Sequence, residues 1–327
     1  MTGGFRLWAA FAAVIFAMGC NSSAGKPKTI ASGGIAADGA AISAQDKAPP
    51  PQDTGGFDGQ RAYDYTAKLV SFGPRPSGSA AIKRTQEYIY SQLHADGCEM
   101  DVDNFHAQTP IGTLAMENLI AKTPAQGKGI ILLLTHYDTK RLPDFVGAED
   151  GGSSTGLMLE MARHLCGRRQ PLAIWMAFLD GEEAMVHWNQ DDDHTYGSRE
   201  LAANLELTGQ LKNVKAVILA DMIGQKGLHI LKESSSTAWL TDLVWSTAAK
   251  LGYQNVFLPQ STEVSDDHDP FLSKHVPAVD IIDLNDYITE GYWHTPQDTM
   301  DKISPKSLAI VGHVILVTVG ELEKKFS

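Results

Sequence analysis

The chain has 327 residues, with 27 lysines and arginines against 39 aspartates and glutamates, a formal charge of −12 at pH 7. That balance excludes nucleic acid as a partner, because binding phosphate backbones needs a basic surface; substrates with a free amino group are compatible with it. Three cysteines are too few for a disulfide scaffold, and the length suffices for one large α/β domain with a full core.

Arg6 precedes an apolar run from Leu7 to Met18 and then Gly19-Cys20, the layout of a signal peptide. The run is too short to span a bilayer. Ala17-Met18-Gly19-Cys20 resembles the lipobox of bacterial lipoproteins, with Ala17 where leucine is commoner. Residues 1–19 are therefore expected to be a signal peptide and Cys20 a lipidated cysteine; the alternative is plain secretion with Cys20 discarded in the leader. From Asn21 to about Thr54 the chain is Ala, Gly, Ser, Pro and Lys without an apolar period, too poor in burial to offset ordering, so residues 20–54 are expected to be a tether. The remainder, 55–327, is expected to be a single domain, an exported, periplasmic or cell-surface monomer that meets a membrane only through its lipid anchor.

Within that domain the pattern alternates. Helical spacing over Ser77–Ala95 is followed by two segments, Asp101–Gln108 and Gly112–Ala121, that suit an antiparallel edge pair. Continuous apolar runs follow at Gly129–Thr135, Pro171–Leu179, Val214–Ala220 and Pro277–Asp283, as expected of strands buried on both faces. Gly152–Cys166, Thr237–Leu251 and Ser304–Lys325 have helical spacing. The predicted fold is α/β with three layers: a central, mostly parallel twisted sheet with helices on both faces. Cys98 and Cys166 are free to pair or to stand as buried thiols; the sequence leaves both open. Trp175, Trp239 and Trp245 fall inside elements and read as core, and Asp191-Asp192-Asp193 reads as a solvated loop.

Ligands of open sheets bind beyond the carboxyl ends of the strands, and polar residues collect there: His136 and Asp138 after one strand, Asp180-Gly181-Glu182-Glu183 after the next, Asp221 after a third. Zinc takes imidazole and carboxylate ligands, three from the protein when the site is catalytic. His136, Asp150, Glu183, Asp221 and His294 are the candidates. Singly, each has an ordinary structural alternative; Asp150, before a helix, could be an N-cap.

Their order is more specific. T-H-Y-D at Thr135–Asp138, G-A-E-D-G-G-S-S-T-G at Gly147–Gly156, D-G-E-E at Asp180–Glu183, A-D-M-I-G at Ala220–Gly224 and W-H-T-P-Q-D-T at Trp293–Thr299 resemble the zinc aminopeptidase superfamily from about Gly73 onward. Three details resemble its animal-type glutaminyl cyclases rather than its aminopeptidases. An insert, Ala184–Thr195, carries Trp188; Asp266-Asp267-His268-Asp269-Pro270-Phe271 is similar to the cyclase D-D-H-x-P-F; and Trp293 stands directly before His294. The flanks Glu149 and Gly151-Gly152 depart from the family pattern.

The resemblance implies one zinc per chain held by Asp150, Glu183 and His294, and Glu182 as general acid and base. It further implies that Asp221 and Asp266 form a carboxylate hydrogen-bond network with Glu182, and that Trp188 and Trp293 shape the substrate pocket. In the aminopeptidases His136 and Asp221 help hold a second zinc, so they do not separate the branches; Asp138 is expected to orient His136. His187 and His268 stay outside the metal set. The expected reaction is conversion of an N-terminal glutaminyl residue of a peptide to pyroglutamate with release of ammonia, the alternative being hydrolysis of N-terminal residues by a zinc aminopeptidase.

Overall fold

The computed structural model describes residues 42–188 and 192–327. The first half holds helices α1 (Gly59–Val70) and α2 (Ala80–Ala95), strands β1 (Glu99–Thr109), β2 (Gly112–Lys122) and β3 (Ile130–His136), helix α3 (Ser154–Leu165) and strand β4 (Ala173–Leu179). The second holds helix α4 (Tyr196–Leu207), strands β5 (Val214–Asp221) and β6 (Ile230–Glu233), helix α5 (Ala238–Lys250), strand β7 (Phe257–Thr262), helix α6 (Asp269–Leu272), strand β8 (Ala278–Ile282), and helices α7 (Leu284–Thr289) and α8 (Pro305–Phe326).

Six strands form one sheet in the order β1-β2-β4-β3-β5-β8. The run β4-β3-β5-β8 is parallel, while β1 and β2 form the expected antiparallel edge pair and β2 is antiparallel to β4. The central strands are apolar throughout because alternate side chains enter two different helical layers. Ile131, Leu133, Met176 and Ile218 pack with α1, α2, α3, α5 and α8; Leu132, Leu134, Ala177 and Leu219 pack with α4 and α6. The three-layer arrangement is the one the sequence predicts. A small parallel pair, β6 with β7, lies outside that reading.

Local chemistry sets the helix starts. Ser79 accepts from the Ile82 amide at the head of α2, and Ser304 caps α8 with Pro305 at its first position. By length and composition α8 could cross a membrane, but its apolar residues belong to the core beside α1 and α5. Cys98, after α2, is bonded to Cys166 at the end of α3, which settles the state of these two residues. Closing a span of 68 residues restricts the unfolded chain by about 4 kcal/mol.

The segment assigned to the tether is partly built into the domain. Pro51–Thr54 form a turn of 3-10 helix, Thr54 is buried with its hydroxyl donating to the Phe57 carbonyl at 2.6 Å, and the Lys306 amide donates to the Asp46 carbonyl at 3.0 Å. This packing uses backbone groups, so a composition poor in apolar residues gives no sign of it. The signal peptide at 1–19 and Cys20 lie outside the described residues.

Candidate active site

The carboxyl ends of β3, β4 and β5 open onto one cavity of about 610 Å³ lined by Asp150, Glu182, Glu183, Trp188, Asp221, Asp266, Trp293 and His294, with Lys140 at its wall. All three catalytic candidates, all three ligand candidates and both tryptophans singled out from the sequence therefore meet in a single space.

Asp150 stands at its centre. Backbone geometry rules out the N-cap alternative: α3 begins only at Ser154, and Asp150 has an extended conformation (φ −80°, ψ 107°) before a left-handed Gly151 (φ 71°). That glycine is obligatory. A Cβ there would lie 2.8 Å from both His136 Cε1 and the Asp138 carbonyl oxygen. The amides of Glu149 and Asp150 donate instead to Asp298, at 2.8 and 3.1 Å, and the Tyr287 hydroxyl donates to the same carboxylate at 2.6 Å. Arg75, almost fully buried, fastens the approach to this turn through the carbonyls of Tyr137, Val146 and Gly147.

Two groups of potential metal ligands share Asp150. In one, Asp150, Glu183 and His294 bring their ligand atoms together, with His294 Nε2 3.2 Å from Asp150 Oδ2 and 3.3 Å from Glu183 Oε1. In the other, His136 Nε2 lies 3.0 Å from Asp221 Oδ1 and 3.3 Å from Asp150 Oδ1. Burial would push Asp150 up, yet the two imidazoles hold its carboxyl below the usual range. For His294 burial works downward, and Asp150 and Glu183 outweigh it, raising the imidazole to about 9. Lys140 also faces Glu183, its ammonium 3.1 Å from Oε2 and its amide 3.1 Å from Oε1.

Glu182 is buried, and desolvation drives its carboxyl well above the ordinary value; His136 opposes this, while Glu183 and Asp266 add to it. Asp266 is raised by burial and then by Asp280 and Asp221. Asp221 spends Oδ1 on His136 and on the Met222 amide, and Asp266 accepts from the Asp267 amide at 2.6 Å. Asp138 shapes the D-G-E-E turn, its oxygens accepting from the amides of Glu182 and Glu183 at 3.1 and 3.3 Å, and its Oδ1 faces His136 Nδ1 at 3.4 Å. Met222 and His294 have left-handed backbone (φ 45° and 52°), which costs side-chain-bearing residues about 1–3 kcal/mol each and clusters at functional sites.

The aromatic walls are in place. Trp293 stacks on His294, ring centroids 4.3 Å apart, and Trp188 stacks on His194 at 4.2 Å. His268, kept outside the metal set, is buried and faces Glu233 at 3.1 Å. Asp193, expected in a solvated loop, is instead buried. Asp298, Tyr287, Lys140 and Asp193 are the partners that sequence reasoning missed; the only signal was position, since Asp298 sits in the same W-H-T-P-Q-D-T segment as His294.

Residues 118–319 match the model of Peptidase family M28. The chain belongs to this family. Among solved structures it is similar to a glutaminyl cyclase from an Acidobacteriales bacterium, with 38% identity, a TM-score of 0.77, and coverage of 87% of this chain and 99% of that one. It is 28% identical to the mouse glutaminyl-peptide cyclotransferase-like protein over 298 residues, 82% of this chain and 76% of the relative. A Zn-dependent exopeptidase from Parabacteroides distasonis is similar at 29% identity and a TM-score of 0.71, covering 80% of this chain and 97% of that one. The M28 scaffold thus carries relatives of both kinds.

Proposed function

We propose that the protein is a zinc-dependent glutaminyl-peptide cyclotransferase, an acyltransferase that closes the N-terminal glutaminyl residue of a peptide into pyroglutamate and releases ammonia. The observation that carries this reading is the convergence of Glu182, the Asp150, Glu183 and His294 set, and the walls Trp188 and Trp293 in one cavity.

Two carboxylates and one imidazole, open on the cavity side, fit a catalytic zinc with a free position. We assign one ion per chain to Asp150, Glu183 and His294. When bound, it supplies a Lewis acid that polarises the side-chain amide carbonyl of the substrate. In cyclisation the α-amine bonds to that amide carbon, the bond to the amide nitrogen breaks, and a proton passes from the amine to the departing nitrogen. Both reacting groups belong to one residue, so proximity is largely supplied by the substrate. Glu182 carries the proton: desolvation drives its carboxyl above the ordinary carboxylate range, the direction a group that both accepts and returns a proton requires. Asp266 sustains the field that resists its ionisation, Asp221 in turn acts on Asp266, and Trp188 and Trp293 enclose the residue and exclude water. His136 and Asp138 support from behind.

One observation favours a second reading, a zinc aminopeptidase: His136, Asp150 and Asp221 could hold a further ion. Both readings are tested by incubating the protein with a glutaminyl peptide. Ammonia and a blocked peptide N-terminus are expected; free N-terminal amino acids without ammonia would assign the aminopeptidase.

For location, we propose an exported monomer anchored through lipidated Cys20. The Cys98–Cys166 bond supports an oxidising compartment. Replacing Cys20 with alanine is expected to move the protein from the membrane to the soluble fraction.

A further inference from the structure

The insert that carries Trp188 returns to the domain through Asp193 and His194. Asp193 is only 1% exposed, and its carboxylate gathers three consecutive amides from the outgoing limb, Met185 at 3.1 Å, Val186 at 2.7 Å and His187 at 3.0 Å, together with the Tyr196 hydroxyl at 2.7 Å. A desolvated carboxylate that accepts several N–H groups is a strong anchor. The limbs are also joined at their base, where the amides of Thr195 and Tyr196 donate to the carbonyls of Glu182 and Gly181 at 2.8 and 2.7 Å. The next residue, His194, lays its imidazole nearly parallel on the Trp188 indole, 10° between planes and 4.2 Å between centroids. Trp188 in turn lines the cavity.

We infer that Asp193 and His194 form a clasp that presets Trp188 as a wall of the substrate pocket: Asp193 fixes the backbone on which Trp188 stands, and His194 fixes the plane of its ring. The inference rests on the reading that this cavity receives a peptide N-terminus. A wall already ordered in the free protein saves the ordering cost at each binding event. His194 touches no reacting atom, so both are positioning residues, and their effect falls on substrate binding. Burial, followed by the nearby Arg199, pulls the His194 imidazole below its usual value, which favours a neutral ring for stacking.

The test compares His194→Ala and His194→Phe with wild type, reading KM, kcat, zinc content, Tm and tryptophan emission. His194→Ala is expected to raise KM about 2- to 12-fold, the range of one aromatic pair, with kcat changed by less than about twofold, the signature of lost uniform binding. Zinc content and Tm stay at wild-type levels. His194→Phe restores KM, and the change in emission caused by His194→Ala disappears in a Trp188→Phe background. Asp193→Ala is expected to raise KM further in the same direction; if it does not fold, the His194 pair still decides. An unchanged KM in His194→Ala, or a phenylalanine variant as poor as the alanine one, overturns the clasp. The ratios are read on whichever N-terminal substrate wild type turns over, so a failure of the cyclase reading shows in the product and a failure of the clasp in the ratio.

Discussion

The two ligand groups that meet at Asp150 differ in what surrounds them. On one side His294 keeps 20% of its side chain exposed and faces the cavity, beside Glu183 and under Trp293. On the other His136 is wholly enclosed, with Asp221 3.0 Å from Nε2 and Asp138 and Glu182 3.4 and 3.8 Å from Nδ1. A ligand group open to substrate can present a polarised position to it; an enclosed imidazole among acids acts on the field around Glu182. The five residues therefore divide, about their shared Asp150, into a side that does chemistry and a side that supports it.

The comparison breaks most visibly at Glu182. Glu182→Gln is expected to lower kcat by about 10²- to 10⁴-fold, the usual share of a general acid or base, with zinc retained; metal analysis beside steady-state kinetics checks both halves. Full turnover in that variant would remove the proton carrier from the account. His136→Ala probes the enclosed side and should cost less, about 10- to 100-fold in kcat/KM as for outer partners of metal ligands, again with zinc retained. Loss of zinc in this variant would merge the two sides.

The smallest effect concerns the acids behind the enclosed side. Burial pushes Asp267 up to about 7, against the hydrogen bond from Ser198, whereas an unfolded aspartate titrates near about 3.9. Between these values the folded chain holds a proton that the unfolded chain has released. The stability from this group is present at the acid end of the window and is lost as pH rises through about 7. In the metal-free protein Tm should therefore fall from about pH 5 to about pH 8, and fall less in Asp267→Asn; equal slopes would contradict the assignment.

Much of this was legible in the sequence because it depends on local patterns. The four continuous apolar runs match strands covered on both faces, and the polar residues at their carboxyl ends then share a rim. Helix α1 leaves little local sign because, of its buried positions Gly59, Ala62, Thr66 and Leu69, only Leu69 carries a large apolar side chain. The supports of the site escaped for a different reason. Asp298 reaches Asp150 across 148 residues, and Asp193 looks like one of three solvated acids until the chain folds back to give it amides. Roles that depend on a distant partner leave no local pattern.

The most direct test of the division between the two ligand groups is to add zinc to the metal-free protein while following ammonia release from a glutaminyl peptide. Activity is expected to rise in proportion to zinc and reach its plateau at about one equivalent per chain, the count for a three-ligand catalytic site. Activity that climbs until about two equivalents, as a paired-metal site requires, would contradict it.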